Sequence, residues 1–157
     1  MFRNNLDNLS GFVFLESEDR KISENMPLPI EVFDNDSLSA LETVTKYLKE
    51  ELNLRFKDIA IILNRNQKTV WDAYRNARNK MELKFKIKKN NGFSVPSYVF
   101  KDRSVSFLEA LVEYLKDNLD LRYCQIASFL NRDDRTIWTV YHRVKIKRRG
   151  AIKDVLL

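Results

Sequence analysis

Leu63-Asn64-Arg65-Asn66-Gln67-Lys68-Thr69-Val70-Trp71 returns 67 residues later as Leu130-Asn131-Arg132-Asp133-Asp134-Arg135-Thr136-Ile137-Trp138. The offset holds without a gap from Leu38/Val105 to Lys80/Lys147, and 18 of those 43 pairs are identical. A period this long, present twice, points to a duplicated small unit, since a solenoid needs about three or more repeats. After glycine, asparagine is the residue most tolerant of positive φ. Asn64 and Asn131 are therefore expected to make a tight turn between two helices. Asn66 and Asp133 stand where the next helix needs an N-cap.

Helical periodicity runs outward from this turn in both directions. Upstream lies a short helix, about 55–63 and 122–130, with Ile59, Ala60 and Leu63 inward, matched by Ile126, Ala127 and Leu130. Downstream the spacing predicts a helix over 67–80 and 134–147. Its inward side is Val70, Ala73, Tyr74 and Ala77, or Ile137, Val140, Tyr141 and Val144. Further upstream, Ser39 precedes Glu42 by three residues and Ser106 precedes Glu109 likewise, the pattern of a capping box. The helix it opens carries Leu41, Val44 and Leu48, or Leu108, Leu111 and Leu115, and Asn53 or Asp120 marks its end. Tyr47 and Tyr114 read as packing residues. Each repeat begins with an expected extended element after a proline, 29–33 and 96–100. Between the repeats, 83–88 alternates with period two and Asn90-Asn91-Gly92 is a turn. A small β-hairpin with 95–100 is one reading of this stretch and a basic alternating linker the other.

The expected fold is therefore mainly α, two tandem three-helix helix-turn-helix units with a small hairpin or linker between them. The divisions are an acidic N-terminal segment 1–27, a first unit 28–82, a basic linker or strand 83–94, and a second unit with a basic tail 95–157. Units of about 60 residues have marginal cores, so the two are expected to pack together. Cys124 is the only cysteine, which excludes an intrachain disulfide and a cysteine metal site. Its counterpart Lys57 marks a solvated helix face. No apolar run approaches the roughly 20 residues of a membrane span, and the N-terminus lacks a signal-peptide pattern. A cytoplasmic, nucleoid-associated protein is expected. His142 is the only histidine and there are three glycines. No histidine pair, glycine-rich phosphate loop or nucleophile–base pair is present, so no enzyme, metal or cofactor is expected.

The net charge is +6. Residues 1–37 hold three basic and eight acidic side chains, a net −5, which leaves +11 on 38–157. A basic body favours a polyanion, nucleic acid first. A helix, a three-residue turn and a second helix with polar residues at its start suit the major groove. Lys68 and Arg135 hold equivalent positions, as do Thr69 and Thr136. Gln67 can pair with adenine, Arg135 with guanine, and Asp134 can accept from cytosine. Arg65 and Arg132 lie in the turn, where a phosphate would pass, and Arg75 and His142 stand two turns further along. For Trp71 and Trp138 the edge of the core is the favoured place, because tryptophan buries a large area.

Leu54, Asp58-Ile59-Ala60, Leu63, Thr69-Val70, Ala77 and Lys80 together resemble the region-4 DNA-binding domain of bacterial sigma factors and the related helix-turn-helix of transposases and regulators. The resemblance covers about 55–80 and 122–147. It implies a groove-facing set of Gln67, Lys68, Trp71, Asp72 and Arg75, and in the second repeat Asp134, Arg135, Trp138, Thr139 and His142. The family's Ser or Thr cap before the second helix is here Arg55 or Arg122, and its apolar turn residue is Arg65 or Arg132. The expected function is sequence-specific binding of double-stranded DNA at two unlike half-sites, in transcription regulation. The rivals are a protein-interaction module, a transposase or recombinase targeting component, and RNA binding. RNA polymerase or another protein would then dock through the acidic segment. A homodimer is compatible with either reading.

Overall fold

The computed structural model describes residues 25–87 and 92–156. Residues 1–24, with most of the acidic segment, lie outside them, as does most of the turn at 90–92. The described residues are mainly helical, with one two-stranded antiparallel sheet. In order they form β1 (Pro27–Pro29), a 3-10 turn (Ile30–Phe33), α1 (Ala40–Glu50), α2 (Phe56–Ile62) and α3 (Gln67–Lys80). Then come β2 (Ser94–Pro96), a second 3-10 turn (Ser97–Lys101), α4 (Phe107–Asp117), α5 (Tyr123–Leu130) and α6 (Asp134–Leu156).

Local chemistry explains the helix bounds. Both capping boxes form. Glu42 N–H donates to Ser39 Oγ at 3.3 Å and Ser39 N–H to Glu42 Oε2 at 2.9 Å; Ser106 and Glu109 do the same at 3.2 and 2.8 Å. Each pair satisfies two N–H groups that a helix end leaves open. Asn53, Asn64, Asp120 and Asn131 all take φ near +50°, so both inter-helix turns of each repeat use the left-handed conformation. The third helices start as expected, but α6 continues to Leu156, nine residues beyond the expected end. Nothing in its sequence stops it except Gly150, which a helix tolerates at a cost of about 1 kcal/mol. The basic tail is thus the last two turns of a helix.

Two other expectations are corrected. The residues after each proline are not extended. The strands precede them, and 30–33 and 97–101 coil into 3-10 turns led by Pro29 (φ −58°) and Pro96 (φ −70°). Nor, among the described residues, does 83–87 form a hairpin with 95–100. Among the described residues 83–87 forms no strand; Lys84 Nζ instead reaches the Glu50 carbonyl at 3.2 Å. The partner of β2 is β1 of the other repeat, paired Pro27 with Pro96, Leu28 with Val95 and Pro29 with Ser94.

That register has a consequence for the whole molecule. Leu28 and Val95 are equivalent residues of the two repeats, and they face each other. The flanking bonds exchange under the same operation: Ile30 N–H donates to the Phe93 carbonyl at 3.2 Å and Ser97 N–H to the Met26 carbonyl at 2.8 Å. A pseudo-two-fold axis therefore passes through the Leu28–Val95 pair. The arms cross it. The first 3-10 turn packs on α5 of the second repeat as well as on α1, and the second packs on α2 of the first as well as on α4. Phe33 and Phe100, again equivalents, meet at 6.1 Å between ring centroids, and Phe100 stacks on Phe107 at 4.9 Å. One continuous apolar cluster, with Leu28, Val95 and Phe100 fully buried, draws on both repeats.

Within each repeat the first and third helices are fastened alike. Lys80 Nζ donates to Glu42 at 2.9 Å and Lys147 Nζ to Glu109 at 2.7 Å. Tyr74 Oη donates to Glu50 at 3.3 Å and Tyr141 Oη to Asp117 at 2.8 Å. The second repeat adds Arg148, which binds Glu113 (2.8 Å) and Asp102 (2.5 Å). Its counterpart Met81 can make no such bridge.

Burial alone would push the Asp102 carboxyl up, but hydrogen bonds from Ser104 and Arg148 hold it down at about 2. A depressed carboxylate stabilises the fold above its unfolded value and loses that contribution as pH falls through the folded value. The Asp102 side chain is a third exposed, so the contribution is about 1 kcal/mol. Urea unfolding of the protein and of Asp102→Asn should give a stability gap at neutral pH that closes as pH falls from about 4 toward 2. A gap that stays constant over that interval would refute this role.

Candidate functional site

The turn before each third helix is built from Asn64-Arg65-Asn66 and from Asn131-Arg132-Asp133. Asn66 Oδ1 accepts from Lys68 N–H at 2.8 Å, and Asp133 accepts from Thr136 N–H at 2.9 Å and Thr136 Oγ1 at 2.7 Å. These caps fix the first turns of α3 and α6. The Ser or Thr missing at the start of the second helix is replaced in two ways. Arg55 forks onto Asp58 (2.7 and 3.2 Å), whose carboxyl that bond holds below its usual range, while Arg122 N–H donates to Gln125 Oε1 at 2.9 Å.

With Val70, Ala73 and Ala77 turned into the core, Lys68, Trp71, Asp72 and Arg75 form one outward stripe of α3 at spacing i, i+3, i+4, i+7. Arg135, Trp138, Thr139 and His142 form the same stripe on α6, opposite buried Ile137, Val140 and Val144. Gln67 and Thr69, with Asp134 and the half-buried Thr136, flank the stripes at the helix starts. The structure thus brings twelve of the fourteen expected residues onto two equivalent surfaces.

The tryptophans depart from the favoured reading. They are not core-edge residues: Trp71 is 44% and Trp138 50% exposed. Each is held flat by the side chain one turn on. The Arg75 guanidinium lies 4.9 Å over the Trp71 ring, and the His142 ring stacks on Trp138 at 3.8 Å, with His142 Nδ1 2.9 Å from the Trp138 carbonyl. The inward stripe is filled by small and β-branched residues, and helical phase keeps positions 71 and 138 off it. Thr139 Oγ1 donates back to the Arg135 carbonyl at 2.8 Å, so only its acceptor capacity is open.

The two turn arginines have intramolecular partners. Arg65 is half-buried over the Phe107 ring (5.0 Å), and its Nη2 donates to the Asp102 carbonyl at 3.3 Å; burial, then the nearby Arg103, lowers its proton affinity. Asn64 Nδ2 beside it donates to the Lys101 carbonyl at 3.0 Å. Arg132 reaches the Leu38 carbonyl at 3.5 Å. Both turns are latched to the crossed arm of the other repeat, which a reading confined to one repeat had no means of showing. The longer α6 also extends its stripe beyond the expected set, to Arg143, Ile146 and Arg149, all exposed. Their spacing from Arg135 and His142 carried the signal, but the assumed helix end at 147 hid its continuation.

Cys124 is exposed, as is Lys57 at the equivalent position. No helix among the described residues is long and apolar enough to cross a membrane. No protein family, curated protein or solved structure matches the chain.

Proposed function

We propose that this chain is a sequence-specific double-stranded DNA-binding protein of the transcription-regulator kind, built from two helix-turn-helix units resembling sigma-factor region 4. In this reading α3 and α6 are the recognition helices. The observation that carries it is the pair of equivalent outward stripes, Lys68-Trp71-Asp72-Arg75 and Arg135-Trp138-Thr139-His142, exposed but for the half-buried Asp72 and standing on capped helices. Side chains that stand outside the core, several of them of base-reading types, suit a major groove. The +11 of residues 38–157 supplies the attraction to phosphate. Arg65 and Arg132 act here as positioning residues that fix each turn.

Binding to duplex DNA should weaken steeply with salt. If each helix and its surroundings neutralise three or four phosphates, log K should fall against log salt with a slope of about −5 to −7, at roughly −0.9 per phosphate. Fluorescence anisotropy on a random-sequence duplex measures it, and a flat response would remove the DNA reading. One observation favours a second reading, a protein-interaction module: Ile152, Val155 and Leu156 are 60–85% exposed on the last turns of α6. A flat slope would promote that reading.

A further inference from the structure

We infer that the DNA site of this protein is an inverted repeat with fixed spacing, its pseudo-dyad lying on the pseudo-dyad through Leu28 and Val95. This rests on the DNA-binding reading above and says how the two recognition helices are used together. A tandem duplication on a free linker would fix neither the orientation nor the distance of its two half-sites. The structure is otherwise. The two repeats are related by a two-fold operation, set by the Leu28–Val95 register and the reciprocal bonds Ile30 N–H to Phe93 O and Ser97 N–H to Met26 O. Such an operation carries the stripe of α3 onto that of α6 at one height along the axis, with the component of its direction across the axis reversed. Operator palindromy follows protein two-fold symmetry.

The spacing is fixed by the latches. Asn64 and Arg65, immediately before α3, bond to Lys101 and Asp102 of the other arm, and Arg132, before α6, bonds to Leu38. Lys101 is six residues from Val95 on the axis, and five residues of that path form a 3-10 turn rising about 2 Å each. With the reach of a side chain, the turn before α3 lies within about 20 Å of the axis; the two-fold relation puts the turn before α6 at a like distance, so the two lie within about 40 Å of each other. Successive major grooves on one face of B-DNA, about 34 Å apart, fit inside that bound. The half-sites should also be unlike in detail. Lys68 and Arg135 both suit a guanine, whereas Gln67 suits adenine and Asp134 accepts from cytosine.

The test is selection of bound sequences by the full chain from a random duplex pool, followed by resynthesis of the enriched site in three forms: intact, with one half reversed, and with about 5 base pairs (half a turn) inserted at its centre. The expected result is an enriched site of two inverted, related half-sites, with affinity falling about tenfold or more on reversal or insertion. Direct repeats, a lone half-site, or equal affinity for all three forms would overturn the dyad while leaving the DNA reading in place. Absence of any duplex binding at low salt would overturn both.

Discussion

Phe100→Ala is expected to lower the stability of the fold by about 3–5 kcal/mol, the usual cost of emptying a fully buried phenylalanine site. Phe100 has no exposed surface, stacks on Phe107 at 4.9 Å and meets its own counterpart Phe33 at 6.1 Å. The cavity would open at the crossing of the two arms, where neither repeat can collapse into it without pulling on the other. Loss should therefore spread to both repeats. Trp71 and Trp138 stand one in each repeat, so the single-tryptophan proteins Trp71→Phe and Trp138→Phe report on the halves separately. In urea both reporters should follow one transition, and Phe100→Ala should shift both midpoints together. Separate midpoints, or a shift in one reporter alone, would show two independent folding units and contradict the shared core.

The shared core is also the feature that a residue-by-residue reading had least access to. Turn asparagines, capping boxes and the inward faces of the helices are local: three to seven residues carry each, and Asn64, Asn131, Ser39 and Ser106 do in the structure what their chemistry predicts. The pairing of β1 with β2 is a contact across 67 residues between segments rich in proline, which lacks an N–H and so carries no strand signal. The alternating stretch at 83–87 had the stronger strand pattern and is not a strand. Trp71 shows the opposite failure. Large apolar area argued for burial, but helical phase puts position 71 opposite Val70, Ala73 and Ala77, and phase prevails. Arg65 was legible as a turn residue, while its partners, Phe107 and the Asp102 carbonyl, lie in the other repeat.

Lys68→Ala and Arg135→Ala should each weaken binding to the preferred DNA site by about 1–3 kcal/mol, with the loss confined to one half-site in each case. Both residues are exposed in the first turn of a capped helix, and both belong to the stripe that also holds a tryptophan. Neither makes an intramolecular ion pair among the described residues, so truncation removes no bond that holds the fold together. Unchanged urea midpoints would establish that. Because the two positions lie in separate repeats without shared partners, their effects should add, giving about 2–6 kcal/mol in the double variant. Arginine can fork onto guanine O6 and N7 whereas lysine presents a point charge, so Arg135→Ala should be the larger loss. A base-reading contact and a phosphate contact part company on a panel of single-base variants. Loss of the former flattens the preference at one position, while loss of the latter weakens every sequence alike and reduces the salt slope by about 1. If both variants alter the same half-site, or neither alters any base preference, α3 and α6 are not two separate readers.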